Sequence, residues 1–376
     1  MNLEFKPSEP LTLGIELEIQ LIDPVTLELK HTSTEIIEGL KGIEGTVKHE
    51  FFLSNLELNT PVCKTMEEAE RWVYEELGLV MEEARRHDTL VWFSGTHPFS
   101  PWREQRLTDK PRYRMLAERL GIVSRRFNIF GLHVHVGIGD GQKCIDVMNR
   151  ILYYLPHLLA LSVNSPFWEG ELTGLHSYRT KVLENLPIAG LPFYFKDWDE
   201  YKSVVNTYLV TETITTIREI WWDMRPHPDF GTLEFRICDM PLTVKDVLAI
   251  TSLIQALVRR TGRDVDSGIP YRRPHSAIIR ENKWRAARYG LDGRFITADG
   301  KGTVPVRKAI EEVLSMVEED VREMGTKRYV DGVMDILSTR TGSYIQMEEY
   351  EKEGNLKAVV RKLSQRLKEE VEAWRK

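Results

Sequence analysis

The sequence predicts an α+β fold: a largely antiparallel sheet with helices on its apolar face, followed by a helical C-terminal part. Three observations predict it. Residues 12–22, 130–138 and 231–240 alternate apolar and polar side chains with period two, as strands with one buried face do. Residues 65–87 and 243–260 instead carry apolar residues at helical spacing. Beyond residue 260 the composition shifts to connectors rich in Gly, Pro and charge, with helical segments only between and after them. The chain thus divides into a body, 1–260, and a helical part, 261–376, packed on it as one compact unit.

In "TLGIELEIQL", residues 12–21, Leu13, Ile15, Leu17, Ile19 and Leu21 share one face, and Glu16 and Glu18 lie on the other. Residues 45–62 read as strand, turn at Ser54-Asn55, strand, ended by Pro61. The helix over 65–87 opens on a capping box, Thr65 with Glu68, and carries a stripe of Trp72, Val73, Leu77, Val80 and Ala84. A strand over 89–98 runs into a Gly/Pro turn. After the strand at 130–138, "KCIDVMNRILYYLPHLLALSV" reads as one long buried helix kinked at Pro156. A loop-rich stretch over 165–197 precedes helices near 198–220, the strand at 231–240 and the helix at 243–260. Helices follow at 276–289, 304–324, 328–340 and 355–375.

Composition narrows the class. The 376 residues are 42% hydrophobic, enough for a sizeable core. The net charge is −6 and no Lys/Arg block stands out, which argues against nucleic acid as a partner. The N-terminus lacks the apolar region of a signal peptide, and residues 153–163 are too short and too polar to span a bilayer. Cys63, Cys144 and Cys238 lie far apart with no CxxC pair, which points to a reducing cytoplasm and to core thiols.

The chemistry sits on strand faces. Glu16 and Glu18, at i and i+2, point the same way, and two carboxylates that close repel unless a cation lies between them. Glu50 and Glu57 flank the turn in "HEFFLSNLELNTP", which can bring both to one place. His133 and His135 in "GLHVHVG" share a face that Gly131 and Gly137 leave open. Glu234 and Arg236 share the polar face of "GTLEFRICD". Taken singly, these read as a wet strand face, common surface glutamates, satisfied core histidines and a cross-strand ion pair. Their shared layout is best explained by one sheet that collects all of them on its polar face. Four or five carboxylates with one or two imidazoles suit Mg²⁺ or Mn²⁺ better than Zn²⁺, and suit several metal ions carrying a polyphosphate. Arg112, Arg114, Arg179, Arg225, Arg285 and Arg288 lie in loop-like or turn-flanked settings and are candidates for carboxylate and phosphate recognition. There is no Walker A loop and no GxGxxG after a strand.

The stretches "TLGIELEIQLIDP", "LELNTPVC", "SGTHPFSPW", "RYRML", "GLHVHVGI", "LPHLLALSVNSPFWEG", "LPIAGLPFYF", "WWDMRPHPDFGTLEFRICDMP" and "NKWRAARYGLDG" run in order from residue 12 to about 293. With them the chain resembles the glutamate–cysteine ligase type 2 family of carboxylate–amine ligases. The resemblance implies a cup-shaped antiparallel sheet of about six strands, of the glutamine synthetase and guanido kinase type, with helices on its outer face. It implies ATP and Mg²⁺ as cofactors. By matching position it makes Glu16, Glu18, Glu50, Glu57, His133 and Glu234 metal ligands. Arg236, with Arg225, becomes catalytic at the transferred phosphoryl group. His135, Arg112, Arg179 and Arg285 become candidate nucleotide-binding residues.

The implied reaction joins the γ-carboxylate of glutamate to the amine of cysteine, or a similar amine, through an acyl phosphate. It is driven mostly by positioning and electrostatics. The partners are then small molecules, with neither nucleic acid nor membrane, and a homodimer is compatible. A ligase with another acid or amine is the nearest rival. A metal-dependent amide hydrolase and a non-catalytic metabolite binder stand further off.

Overall fold

The computed structural model describes residues 3–40, 42–43 and 45–376. Seven strands form its main sheet: β1 (Leu13–Ile22), β2 (Val47–His49), β3 (Asn55–Asn59), β4 (Leu90–Trp92), β5 (Gly131–Gly137), β6 (Met224–His227) and β7 (Thr232–Asp239). The order is β6-β7-β5-β1-β3-β2, every pairing is antiparallel, and β4 pairs with the C-terminal end of β1. The sheet thus has one strand more than the resemblance implied.

The alternation works as read. Leu13, Ile15, Leu17, Ile19 and Leu21 are all buried against the helical layer. The helix Met66–Arg86 starts where the capping box places it, with Thr65 Oγ1 accepting from the Glu68 N–H at 3.2 Å. Its buried stripe includes Val73, Leu77, Val80 and Ala84. The C-terminal helices close the same core. Tyr74 stacks on Trp374 at 4.8 Å, and Gln346 Nε2 donates to the buried Asn164 Oδ1 at 2.7 Å. The helix Val244–Asp266 runs through residue 260.

Other expectations need correction. The long buried helix is two, Gly141–Ile151 and Leu155–Ser162, joined by a 3₁₀ turn at Leu152–Tyr154. Pro156 has no N–H to give to a preceding turn and fits only in the first turn of a new helix. Residues 198–220 form one helix, Trp198–Val210, and a 3₁₀ turn, Ile217–Glu219. The unexpected strand β6 contains Pro226, which it tolerates as an edge strand of the sheet. Arg112 and Arg114 lie on a helix, Pro111–Leu120, and not in a loop. Residues 294–296 and 303–305 form a small hairpin within a presumed connector, and Gly342–Glu353 adds a helix. No helix among the described residues is long and apolar enough to cross a membrane.

The two faces of β1 should respond oppositely to substitution. Leu17→Ala, on the fully buried face, should cost about 2–5 kcal/mol of unfolding free energy in a urea titration. Glu16→Gln, on the cavity face, should leave the melting temperature within a few degrees. A larger loss for Glu16→Gln than for Leu17→Ala would contradict the assignment of faces.

Candidate active site

Antiparallel register lines up the polar face in successive rungs. His227 lies opposite Thr232, and Thr232 opposite Gly137. One step of two residues along, Arg225 faces Glu234, Glu234 faces His135, and His135 faces Gly14. The next rung joins His133, Glu16 and Asn59, and the last joins Glu18, Glu57 and Lys48. Successive rungs are about 6.6 Å apart along the strands. Glu50, which follows β2, reaches the last rung. These side chains line a cavity of about 380 Å³ over the sheet.

Within it, His133 Nδ1 lies 3.1 Å from Glu16 Oε2, and His135 Nε2 lies 3.3 Å from Glu16 Oε1. Burial works to raise the Glu16 carboxyl, but the two imidazoles outweigh it and hold the group below the usual carboxylate range. His135 Nδ1 is 2.9 Å from Thr232 Oγ1. Burial opposes a charge on His135, yet Glu234 and Glu16 carry its pKa above the ordinary value. Glu234 receives Arg225 Nε at 2.7 Å and Arg225 Nη2 at 3.1 Å, and also Arg236 Nη1. Burial again opposes the charge, and the two guanidiniums overcome it, so Glu234 too lies low. Glu50 goes the other way: desolvation, then the neighbouring Glu57 and Glu18, push it well above the usual range.

The donor set fits a divalent cation. Glu16, His133 and Glu234 each offer a ligand atom, all within 4.8 Å of one another. His133 Nε2 is buried with no hydrogen-bond partner. The crowding of Glu50 with Glu57 and Glu18 is the repulsion that a cation relieves, and oxygen donors of this kind suit Mg²⁺ or Mn²⁺. Glu234 is the least available of the expected ligands, because two arginines already engage both of its oxygens.

Ten of the twelve residues to which the resemblance gives a role line the cavity: Glu16, Glu18, Glu50, Glu57, His133, His135, Glu234, Arg112, Arg225 and Arg236. Arg179 and Arg285 do not. Arg179 is buried beside the cavity, its guanidinium filling the space that a Cβ at Gly131 would take, and it donates to the carbonyls of Arg236 at 3.2 Å and Ile237 at 3.4 Å. Arg285 pairs with Glu281 at 2.8 Å on the helix Ser276–Tyr289 and donates to the Arg294 carbonyl. Neither guanidinium reaches the cavity. Arg114 pairs with Asp109, and Arg288 lies over the Tyr289 ring, so these also stay outside. The cavity further contains Lys48, Lys110, Tyr113, Arg218, His227 and Phe230. Lys48 and His227 were open to the same period-two reading, each being two residues from a site residue on one strand face. Lys110 and Arg218 come from loops and turns, where no periodicity marks them.

The class to which the chain's sequence assigns it is that of ligases that use ATP to form a C–N bond. The chain belongs to the glutamate–cysteine ligase family 2, whose sequence profile matches residues 12–362. It is 44% identical over 363 residues to a Gloeobacter violaceus protein named "Putative glutamate--cysteine ligase 2", covering 96% of this chain and 98% of that one. A protein of the same name from Solibacter usitatus is 41% identical over 362 residues, covering 96% and 94%. The fold is that of a glutamate–cysteine ligase from Francisella tularensis solved with AMP, with a TM-score of 0.72, 15% identity, and 98% and 90% of the two chains covered. It is also that of a bifunctional glutathione synthetase from Pasteurella multocida, with a TM-score of 0.69 and 16% identity, covering 96% of this chain and 53% of that one.

The Arg225–Glu234 pair should matter for stability as well as for the site. Both residues are buried, and Arg225→Ala removes a bidentate partner from a buried carboxylate. Such losses cost about 3–5 kcal/mol. Urea denaturation should show a loss of that order for Arg225→Ala and a smaller one for Arg112→Ala.

Proposed function

We propose that the protein joins the γ-carboxylate of glutamate to the amine of cysteine, or of a similar small amine, with conversion of ATP to ADP and phosphate. The observation that carries this reading is the ordered polar face. Carboxylates and imidazoles suited to cations stand beside guanidiniums suited to phosphate, in one cavity and on one register. A carboxylate is a poor electrophile. Its oxygen attacks the γ-phosphorus, ADP departs, and the amine then displaces phosphate from the acyl carbon.

The chain's own part is positioning and charge. Arg236 Nη1 lies 3.5 Å from His133 Nδ1, and its Nε is buried with no partner, so the guanidinium keeps donor capacity for an anion. Arg225 holds Glu234, and Glu234 in turn holds Arg236 in place. Arg112, whose Nε is likewise unpaired, stands with Lys110 across the cavity as a counter-charge for the carboxylate of the acid. Mg²⁺ held by Glu16 and His133, and by the Glu18, Glu50 and Glu57 group, would supply further neutralisation of the polyphosphate. No protein nucleophile is needed. The three cysteines are buried and unpaired, in keeping with thiols in a reducing cytoplasm.

The test is ADP release from purified protein with Mg²⁺, ATP, glutamate and a panel of amines. ADP formed only when acid and amine are both present supports the ligase. Amide cleavage without ATP supports the hydrolase instead. Glu16→Gln should lower turnover by at least about 100-fold while the protein stays folded, because it removes a charge aimed at the reacting groups. Mg-ATP at millimolar concentration should raise the melting temperature of the wild type, since a ligand that binds only the folded state stabilises it. A flat thermal profile would count against the nucleotide site.

A further inference from the structure

The rung with His227 and Thr232 differs in chemistry from the other three. At its end, the turn "HPDF" brings two rings face to face. The Phe230 N–H donates to the His227 carbonyl at 3.2 Å, and the rings stack at 4.1 Å with an interplanar angle of 8°. His135 meets both edge-on, at 5.7 and 5.8 Å. The N-terminal segment clamps this turn. The Lys6 N–H donates to the Pro228 carbonyl at 2.9 Å, and a Cβ at Gly231 (φ 63°) would sit 2.0 Å from the Lys6 carbonyl oxygen. The pair is therefore preorganised.

Phe230 is nonetheless 53% exposed, and it is the one exposed aromatic among the described residues that line the cavity. Tyr113, in contrast, spends its hydroxyl on the His49 carbonyl and its ring on Phe51. His227, buried beneath Phe230, holds that ring flat. A flat, exposed aromatic face in a cavity suits a heteroaromatic base, which stacks through its own face.

We infer that the His227–Phe230 stack is the base platform of the nucleotide, with a purine lying on the outer face of Phe230, whose inner face His227 backs. This rests on the ligase reading above. The rung order supports it, because His133 and Glu16 lie two rungs further in, with Arg236 Nη1 3.5 Å from His133 Nδ1. At the far end Lys48, Lys110 and Arg112 stand among Glu18, Glu50 and Glu57, and these three cations are suited to meet the carboxylates of the acid substrate. The nucleotide thus enters from the β6–β7 turn and the acid from the β2–β3 side, and they meet over His133.

The test compares ATP with inorganic tripolyphosphate, each with Mg²⁺, by isothermal titration on the wild type, Phe230→Ala and Phe230→Tyr. The wild type should bind ATP more tightly than tripolyphosphate. Phe230→Ala should weaken ATP binding by about tenfold or more, as expected for loss of one stacked base, and should leave tripolyphosphate unchanged. Phe230→Tyr should restore ATP affinity. ATP binding by Phe230→Ala equal to that of the wild type, or an equal loss for both ligands, overturns the platform while the ligase reading stands. Failure of the wild type to bind either ligand overturns the ligase reading and the platform together.

Discussion

One constraint organises the molecule: the antiparallel register of β1 between β3 and β5. It places Glu16 opposite His133 and Glu18 opposite Glu57. Because side chains alternate strictly along a strand, the same register sends Ile15, Leu17 and Ile19 into the helical core. A slip of one residue would bury the carboxylates and expose the aliphatic row. The hydrophobic effect therefore fixes the geometry of the polar face. Burial of the aliphatic row holds like charges side by side that would otherwise move apart.

The charge balance across the cavity follows from this frame. At one side Glu234 is neutralised by Arg225 and Arg236, and at the middle two imidazoles stabilise the Glu16 carboxylate. At the other side Glu57 lies 3.9 Å from Lys48 Nζ and Glu18 3.8 Å from His133 Nε2, while burial and these two acids push the Glu50 carboxyl well above its usual range. Cationic pairing of the acids thus loosens along successive rungs. Unpaired donors remain on Arg236, Arg112 and His133. Such groups are costly in an interior unless something binds them, so the cavity stores unmet demand for both anions and cations.

Buried support around β7 keeps this face in place. The strand β7 carries a register shift between Phe235 and Cys238, and Arg179 donates to the two carbonyls of that segment. Asp223, whose carbonyl accepts the Arg236 N–H at 2.8 Å, is itself held by Lys283 at 2.6 Å. Arg179 was legible from the sequence as an important cation, but its direction was not. A residue in a loop-rich stretch has no periodicity to say which side of the sheet it meets. Arg285 was misplaced for a related reason: a helical arginine with a glutamate four residues before it pairs on its own helix.

By itself the sequence determined the alternating strands, their two faces and the list of acids, imidazoles and guanidiniums on the polar one. Period two ties neighbours on one strand together without reference to anything else. Its resemblance to a known family supplied the ordering of those strands into one cup. Only the tertiary structure decided three further things. It made β6 a strand despite Pro226, because an edge strand can spare a donor. It drew Lys110, Arg218 and Phe230 into the cavity from segments with no shared period. It also committed Glu234 to Arg225, since cross-strand neighbours are set by register, which single-strand patterns do not encode.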